Sequence, residues 1–248
     1  YEVKPEPVTL PVDAASIQEG ERLAQFYCTG CHGENLAGTN FFTIPPLGVV
    51  DAPNLTAGEG GIGAAYTDET FIRAIRHGID PQGKPLFVMP SKDFYHLSDE
   101  DLGQMIAYIR TIEPVDGVYN DGSMTLLGRV MLGLGMFGDV LNAETIDHAA
   151  PRPLAPEPGV TDVYGQYLVT TFGCASCHGA ELSGGRHPEP GGPNGSNLTP
   201  AGSIGGWSDA DFITIMRTRE SDWMPYESLA KMSDDELRAI FLYLQSLP

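Results

Sequence analysis

The sequence predicts an all-α protein built from two tandem copies of one helical domain, joined by a proline-rich linker that contains a helix. Three observations lead to this prediction. The chain repeats the same short motifs in the same order, each repeat contains stretches with apolar residues at helical spacing, and prolines cluster between the repeats. With 248 residues, of which 42% are hydrophobic, the chain is long enough to bury two cores.

The repeat rests on four matched motifs. They are C-x-x-C-H at Cys28 and Cys174, Asn-Leu-Thr at Asn54 and Asn197, Met-Pro at Met89 and Met224, and Ser-Asp at Ser98 and Ser233. The separation between the copies falls from 146 to 135 residues along the chain, so the second copy has shorter loops. We therefore predict a first domain over residues 1–114, a linker over 115–162 and a second domain over 163–248.

Each copy predicts three helices. A leading helix runs into the first cysteine, from about Ser16 to Tyr27 and from about Val163 to Phe172. A long loop rich in glycine and proline follows it. A short helix is then capped by Thr67 or Ser208, and a closing helix is capped by Ser98 or Ser233 and has an acidic first turn. Glycines in the leading helices, Gly20 and Gly165, are expected to admit Tyr108 and Tyr243 of the closing helices to their backbones.

The linker contains an apolar, glycine-rich stretch from Met124 to Leu141, which predicts a helix, and four prolines follow it. Because a helix this apolar is expected to be covered, we predict that it packs at the interface of the two domains and fixes their relative positions. Arg129 and Asp139 make this stretch a poor bilayer span.

The two C-x-x-C-H motifs use all four cysteines of the chain, in the sets Cys28, Cys31, His32 and Cys174, Cys177, His178. This motif is typical of a c-type haem attachment site, where two thiols form thioether bonds to the haem and the histidine ligates the iron. A four-cysteine zinc site would not explain the histidine after each pair or their wide separation. A thioredoxin-type dithiol would follow a strand rather than a helix. The expected cofactors are two covalently attached haem c groups.

Each half resembles a class I cytochrome c domain, over about Ala15–Glu113 and Thr161–Pro248. The order of leading helix, C-x-x-C-H, loop, short helix, Met-Pro and closing helix carries the resemblance. The whole chain is similar to two-haem cytochromes and to the cytochrome c subunits of membrane-associated dehydrogenases, which share Asn-Leu-Thr and the run Ile204–Phe212. Those subunits usually have three haem motifs, and this chain has two. The resemblance implies two tandem class I cytochrome c domains.

The resemblance also implies the second ligand of each iron, namely the methionine of Met-Pro, Met89 in the first domain and Met224 in the second. A thioether ligand raises the reduction potential relative to a second histidine. His77 and His96 remain candidates for bis-histidine ligation. Further methionines are alternative sulfur donors, although their spacing favours a core position: Met105, Met216 and Met232.

Other residues have weaker predicted roles around the haems. Tyr66 and Trp207 hold matching positions and are candidates to donate a hydrogen bond to a haem propionate, or simply to pack. Arg73, Arg76 and Arg217 are candidates to pair with propionates or to be solvated. The prolines before Asn-Leu-Thr, Pro53 and Pro193, are candidates to help place the carbonyl that orients the haem histidine. Asn-Leu-Thr also matches a glycosylation acceptor, but its recurrence in register favours a structural turn.

The chain is strongly acidic, with 33 acidic and 14 basic residues and a net charge of −19. This charge excludes nucleic acid as a partner, because nucleic-acid binding needs a basic surface. We expect redox proteins with basic docking surfaces as electron donor and acceptor, while an acidic surface kept for solubility explains the charge equally well. Covalent haem attachment predicts a periplasmic or other extracytoplasmic location. Membrane association is then expected only through a partner complex or an absent N-terminal anchor.

Electron transfer, without catalysis, is the function that these motifs favour. A two-haem enzyme of the peroxidase type is the main rival, but it needs one iron with an open ligand position, and Met-Pro recurs in both halves. A two-haem enzyme with a cysteine ligand is excluded because there is no fifth cysteine. The third hypothesis is an electron-transfer subunit of a larger respiratory, photosynthetic or dehydrogenase complex.

Overall fold

The structure is a computed structural model that describes residues 1–117, 123–138, 140–152, 154–187 and 192–248. It divides into two compact units. Unit 1 contains Tyr1–Ser91 and Asp99–Ala149, and unit 2 contains Lys92–Ser98 and Ala150–Pro248. These units are defined by internal contacts, and the domain limits at 114 and 163 stay a prediction about the repeat.

The elements of unit 1 follow the predicted order. They are α1 (Ala14–Tyr27), α2 (Thr29–His32), β1 (Thr39–Ile44), β2 (Gly48–Ala52), α3 (Asp68–His77), α4 (Ser91–Phe94, which extends into unit 2), α5 (Asp99–Thr111) and α6 (Leu126–Gly133). Unit 2 contains α7 (Asp162–Thr171), α8 (Ala175–His178), α9 (Asp209–Thr218), α10 (Tyr226–Leu229) and α11 (Asp234–Ser246). Leading, short and closing helices therefore occur in both units.

In each unit the leading helix packs against the closing helix, α1 on α5 and α7 on α11. Glycine makes this crossing possible. A Cβ at Gly20 would overlap the main-chain carbonyl of Gln104, and one at Gly165 would overlap the carbonyl of Ala239. The close approach was predicted, but the nearest group is a backbone carbonyl one turn before the predicted tyrosine. The two helix backbones themselves are in contact.

Three of the four predicted caps form at the starts of their helices, and the cap at Ser98 stays a prediction. Thr67 accepts a hydrogen bond from the Thr70 N–H at the start of α3. Ser208 and Ser233 begin α9 and α11 with complete capping boxes, in which the residue three positions on bonds back to the cap. These caps fix where the short and closing helices begin.

The all-α prediction is wrong in one place, because unit 1 contains a β-hairpin. Strands β1 and β2 pair antiparallel, with Thr39 opposite Ala52 and Ile44 opposite Gly48. This stretch was expected to be part of a long loop rich in glycine and proline. Pro45 and Pro46 instead lie in the turn of the hairpin, and residues with high β propensity, threonine, valine and isoleucine among them, flank it.

The linker helix is shorter and more exposed than predicted. It covers Leu126–Gly133 rather than Met124–Leu141, a range whose residue 139 lies outside the described residues. It is attached to the hairpin turn, because the Thr125 hydroxyl donates to the carbonyls of Pro46 and Leu47 at 2.9 and 3.0 Å. Its apolar side chains are largely exposed, with Leu126 at 80% exposure. Packing of these side chains at a domain interface stays a prediction.

None of the helices in the described part of the chain is both long and apolar enough to span a lipid bilayer.

Candidate haem sites

Each C-x-x-C-H motif forms one helical turn directly after its leading helix. The first motif occupies α2, where the His32 N–H donates to the Cys28 carbonyl at 3.0 Å. The second occupies α8, with the same bond from His178 to Cys174 at 3.0 Å. The turn therefore presents two cysteine side chains and an imidazole together, and none of the four cysteines is in a disulfide bond.

The two histidines are buried and held in the same way. His32 and His178 are each 7% exposed. The Nδ1 atom of His32 lies 2.8 Å from the Pro53 carbonyl, and that of His178 lies 2.8 Å from the Ser196 carbonyl. Because a carbonyl oxygen only accepts, Nδ1 carries the hydrogen and Nε2 keeps its lone pair for a metal. Burial also lowers the pKa of His32, although its bond to Pro53 opposes this effect.

The carbonyl that orients each histidine was predicted correctly in one copy only. Pro53 provides it in unit 1, but in unit 2 it comes from Ser196 rather than Pro193. Pro53 and Ser196 both lie directly before Asn-Leu-Thr. The position in the loop decides which carbonyl is used, because a backbone carbonyl does not depend on the side chain.

Asn-Leu-Thr is a structural turn in both units, as predicted. Asn54 Oδ1 accepts a hydrogen bond from the Thr56 N–H at 2.9 Å, and Asn197 Oδ1 accepts one from the Thr199 N–H at 2.7 Å. Asn54 has no exposed surface, so it cannot accept a glycan in the folded chain.

Two leucines that the sequence analysis missed hold this turn near the motif. The Leu55 N–H donates to the Leu36 carbonyl, and the Leu198 N–H donates to the Leu182 carbonyl, each at 2.8 Å. Leu36 and Leu182 both adopt the left-handed backbone conformation, with φ of 54° and 55°. Both leucines lie at the same distance in sequence after their motif, and this recurrence could have identified them from the sequence.

The cysteines are half-buried beside the histidine of their motif. Burial raises the pKa of Cys28 and of Cys174 to about 12, and that of Cys31 to about 11. Within the described residues, no three His, Cys, Asp or Glu side chains converge as a metal site requires.

Met89 and Met224 occupy equivalent turns in loops. The Met89 carbonyl accepts from the Ser91 N–H at 2.7 Å, and the Met224 carbonyl accepts from the Tyr226 N–H at 2.8 Å. A one-turn helix follows each methionine, α4 or α10. Both side chains are half-buried.

The alternative iron ligands have other contacts. His77 Nδ1 lies 3.0 Å from His148 Nδ1, and the exposed His96 packs its ring edge on Tyr95. The three other candidate methionines are core residues, with exposures of 2%, 7% and 1% for Met105, Met216 and Met232. These contacts favour Met89 and Met224.

Two of the three candidate propionate arginines form ion pairs in equivalent positions. Arg76 Nη1 lies 2.9 Å from Asp99 Oδ1, and Arg217 Nη2 lies 3.0 Å from Asp234 Oδ1. Both pairs join the short helix to the first residue of the closing helix. At the third candidate, Arg73, the buried Nε has no hydrogen-bond partner among the described residues. An anionic group such as a haem propionate would satisfy it.

Tyr66 and Trp207 are half-buried, at the ends of loops that are held alike. Arg110 Nη1 donates to the Gly63 carbonyl at 2.7 Å, and Gln245 Nε2 donates to the Ile204 carbonyl at 3.0 Å. Gly63 and Ile204 each lie three residues before the aromatic residue, so the closing helix holds the backbone that leads into each of them.

Comparison with protein families agrees with this duplicated geometry. Residues 15–109 match the family described as cytochrome c oxidase, cbb3-type, subunit III, and residues 163–248 match the family described as cytochrome c. The chain carries two cytochrome c domains. With the cysteine pairs at 28/31 and 174/177, these domains bind two covalently attached haem c groups.

The relatives of this two-domain cytochrome are subunits of dehydrogenases. The chain is 30% identical to the fructose dehydrogenase cytochrome subunit of Gluconobacter japonicus, over 98% of this chain and 55% of that protein. It is 29% identical to the alcohol dehydrogenase (quinone) cytochrome c subunit of Gluconacetobacter polyoxogenes, over 97% and 58%. It is 30% identical to the gluconate 2-dehydrogenase cytochrome c subunit of Pantoea cypripedii, over 94% and 60%. The chain spans a little over half the length of these relatives.

These comparisons confirm the resemblance drawn from the motifs. They support electron transfer through haem iron.

Proposed function

We propose that this cytochrome passes single electrons between redox proteins through two haems, each with a histidine and a methionine as iron ligands, and that it catalyses no reaction itself. The ligands would be His32 and Met89 in the first domain and His178 and Met224 in the second. The observation that carries the proposal is the equivalence of the two sites, because each buried histidine is oriented by a carbonyl before Asn-Leu-Thr and each methionine lies in the same turn.

When bound, each haem supplies an iron that cycles between the ferric and ferrous states. The residues of the chain fix the conditions for that chemistry. The carbonyls of Pro53 and Ser196 hold the tautomer that leaves Nε2 free, and burial keeps the imidazoles from water. A thioether from Met89 or Met224 would close the sixth ligand position and favour the ferrous state. A closed position leaves no room for a substrate, which is why we propose a carrier rather than a peroxidase.

The net charge of the chain and its similarity to dehydrogenase subunits support a proposal about its partners and location. A net charge of −19 favours donor and acceptor proteins with basic docking surfaces. Because the relatives are cytochrome subunits of dehydrogenases, we propose that the donor is a dehydrogenase subunit and that the cytochrome works in a complex with it at the membrane. Covalent haem attachment outside the cytoplasm gives the complex an extracytoplasmic location.

The ligand assignment is tested by optical spectroscopy of the holoprotein. We expect a haemochrome spectrum with two haems per chain and a methionine-to-ferric charge-transfer band from both. Met89→Ala and Met224→Ala should each remove about half of this band and allow carbon monoxide to bind one ferrous haem. Met136→Ala is the control, because Met136 is exposed and lies in the linker. One haem per chain, or strong carbon monoxide binding by the unmodified protein, would overturn the proposal.

The proposed complex is tested by affinity purification from the native membrane. A flavin- or quinone-dependent dehydrogenase should co-purify, and its substrate should reduce both haems. Recovery of the cytochrome alone, with no substrate-dependent reduction in the membrane fraction, would contradict the subunit role and leave a free electron carrier.

A further inference from the structure

An acidic side chain lies against the second cysteine pair. Asp93 packs on Gly173, the residue before Cys174, so closely that a Cβ at Gly173 would lie 2.5 Å from Asp93 Oδ2. The Ser176 hydroxyl, between the two cysteines in the sequence, donates a hydrogen bond to the same carboxylate. Asp93 therefore contacts the motif on both sides of Cys174.

The segment that carries Asp93 is fixed in place. Lys92–Ser98 belongs to the same compact unit as the second motif. The Tyr95 hydroxyl donates to the Ala150 carbonyl at 2.6 Å, and the Ser98 N–H donates to the Tyr167 hydroxyl at 3.0 Å. These two anchors hold the carboxylate against the motif.

The carboxylate of Asp93 lies beside both cysteines of this motif. Cys174 directly follows Gly173 and Cys177 directly follows Ser176, the two residues that Asp93 contacts. The positive charge of Lys92 also reaches Cys177 and opposes Asp93 there. The first motif has Gly30 in place of Ser176, so it lacks the hydroxyl that binds this carboxylate. The two motifs therefore differ in electrostatic environment.

The carboxyl group of Asp93 is mostly ionised at neutral pH and above. Burial raises the pKa of Asp93 to about 6, while Lys92 and the Ser176 hydroxyl act in the opposite direction. Lys92 and the two cysteines are the titratable groups that face it, and in the holoprotein both cysteines are thioethers that cannot titrate.

We propose that the Asp93 carboxylate lowers the reduction potential of the haem bound at Cys174 and Cys177, and so separates the two haems in potential. This inference rests on the function proposed above. One electron from the donor protein converts ferric to ferrous iron and removes one positive charge from the site. A fixed negative charge beside the haem opposes that uptake, because it stabilises the more positive ferric state.

The test is a spectroelectrochemical titration of the two-haem holoprotein with Asp93→Asn, which removes the charge and nearly keeps the shape. At about pH 8 one of the two redox components should rise in potential. At a fixed ambient potential its ferric-to-ferrous ratio should fall about tenfold, which is about 59 mV for a one-electron couple. Glu157→Gln removes an exposed charge from the same unit and should move neither component.

The inference requires that the redox component whose potential rises in Asp93→Asn is the second haem. Cys174→Ala combined with Cys177→Ala leaves the first haem alone and identifies its potential. If that variant does not fold, Met224→His lowers the potential of the second haem and identifies it instead. A shift confined to the first haem would overturn the inference.

A pH series separates charge from packing. The difference between the unmodified protein and Asp93→Asn should shrink as the pH falls below about 6, where the native carboxyl group becomes neutral. An equal difference at about pH 4.5 and pH 8 would indicate a packing effect and overturn the inference. If neither component moves, the inference is wrong while two titrating haems leave the proposed function intact. Failure of the unmodified protein to titrate as two haems would count against the proposed function.

Discussion

Units 1 and 2 repeat the same backbone framework around the haem histidine. They differ in how deeply the ion pairs and asparagine side chains that support this framework are buried. Arg76 is 1% exposed in its ion pair, whereas the side chain of Arg217 is 31% exposed in the equivalent pair. Asn54 has no exposed surface, whereas Asn197 is half-buried. The histidine geometry is nevertheless the same. Backbone carbonyls therefore set the iron site, and the side chains determine how stable each copy is.

The largest expected effect tests whether the two helix crossings are equivalent. Gly20→Ala and Gly165→Ala each place a methyl group on a backbone carbonyl of the closing helix, which cannot move aside without separating the helices. We expect each variant to lower the free energy of unfolding by about 3 kcal/mol, the upper part of the range for overpacking. Hydrogen exchange of peptides from α5 and α11 in the holoprotein would measure each unit separately.

Gly133→Ala is the matched control for these glycines. A Cβ at Gly133, the last residue of α6, would have no neighbour within 4 Å. We expect no loss of stability there, because alanine favours a helix over glycine. If Gly20→Ala and Gly165→Ala were equally harmless, the close helix crossing of both units would be contradicted.

The second comparison concerns the equivalent ion pairs. Asp99→Asn leaves the buried Arg76 guanidinium without this carboxylate, and we expect the free energy of unfolding to fall by about 2 kcal/mol. This is less than the cost of breaking a fully buried ion pair, because Asp99 is about half exposed. Asp234→Asn should cost less than about 1 kcal/mol, since both members of that pair are partly solvated. Both residues begin a closing helix, so the loss of the helix-dipole interaction is the same in the two variants.

Urea unfolding of the holoprotein measures the stability effect of the Arg217–Asp234 pair in unit 2. Both tryptophans, Trp207 and Trp223, lie in unit 2, so their fluorescence follows that unit as its haem ceases to quench it. Hydrogen exchange of the α5 amides measures the stability of unit 1, where Asp99→Asn acts. Equal losses in Asp99→Asn and Asp234→Asn would mean that burial of the arginine does not matter.

The sequence could predict the parts of the fold that depend on local chemistry. Thr67, Ser208 and Ser233 cap helices because their hydroxyls reach a nearby N–H, and this is legible from adjacent residues. The haem motifs are legible for the same reason. The repeat then added the glycines of the helix crossing, because Gly20 and Gly165 both lie in a leading helix, eight and nine residues before the first cysteine of their motif.

The parts that were missed depend on contacts between distant residues. The hairpin of unit 1 was taken for a loop, since proline and glycine mark turns in both. Pro193 was a candidate for this role in the second copy, but the Ser196 carbonyl orients His178, and a backbone carbonyl leaves no mark in the pattern of side chains. Asp93 lies outside the motif in sequence and reaches it only through tertiary structure. No local pattern could reveal that contact.

The smallest expected difference lies in the turn that carries the histidine-orienting carbonyl. Asn54→Ala removes the acceptor for the Thr56 N–H and the donor to the Val115 carbonyl, 2.7 Å away, in a fully buried place. We expect a loss of about 2 kcal/mol, because buried polar groups then lack partners. Asn197→Ala should cost about 1 kcal/mol, since water can reach that turn.

Hydrogen exchange at Thr56 and Thr199 tests this difference where it arises. The Thr56 amide should lose more protection in Asn54→Ala than the Thr199 amide loses in Asn197→Ala, because only the first turn is sealed from solvent. If both turns loosened equally, the histidines would depend on the asparagines to the same degree in each unit. The difference in burial would then have no energetic consequence, and the two units would be equivalent in stability as well as in geometry.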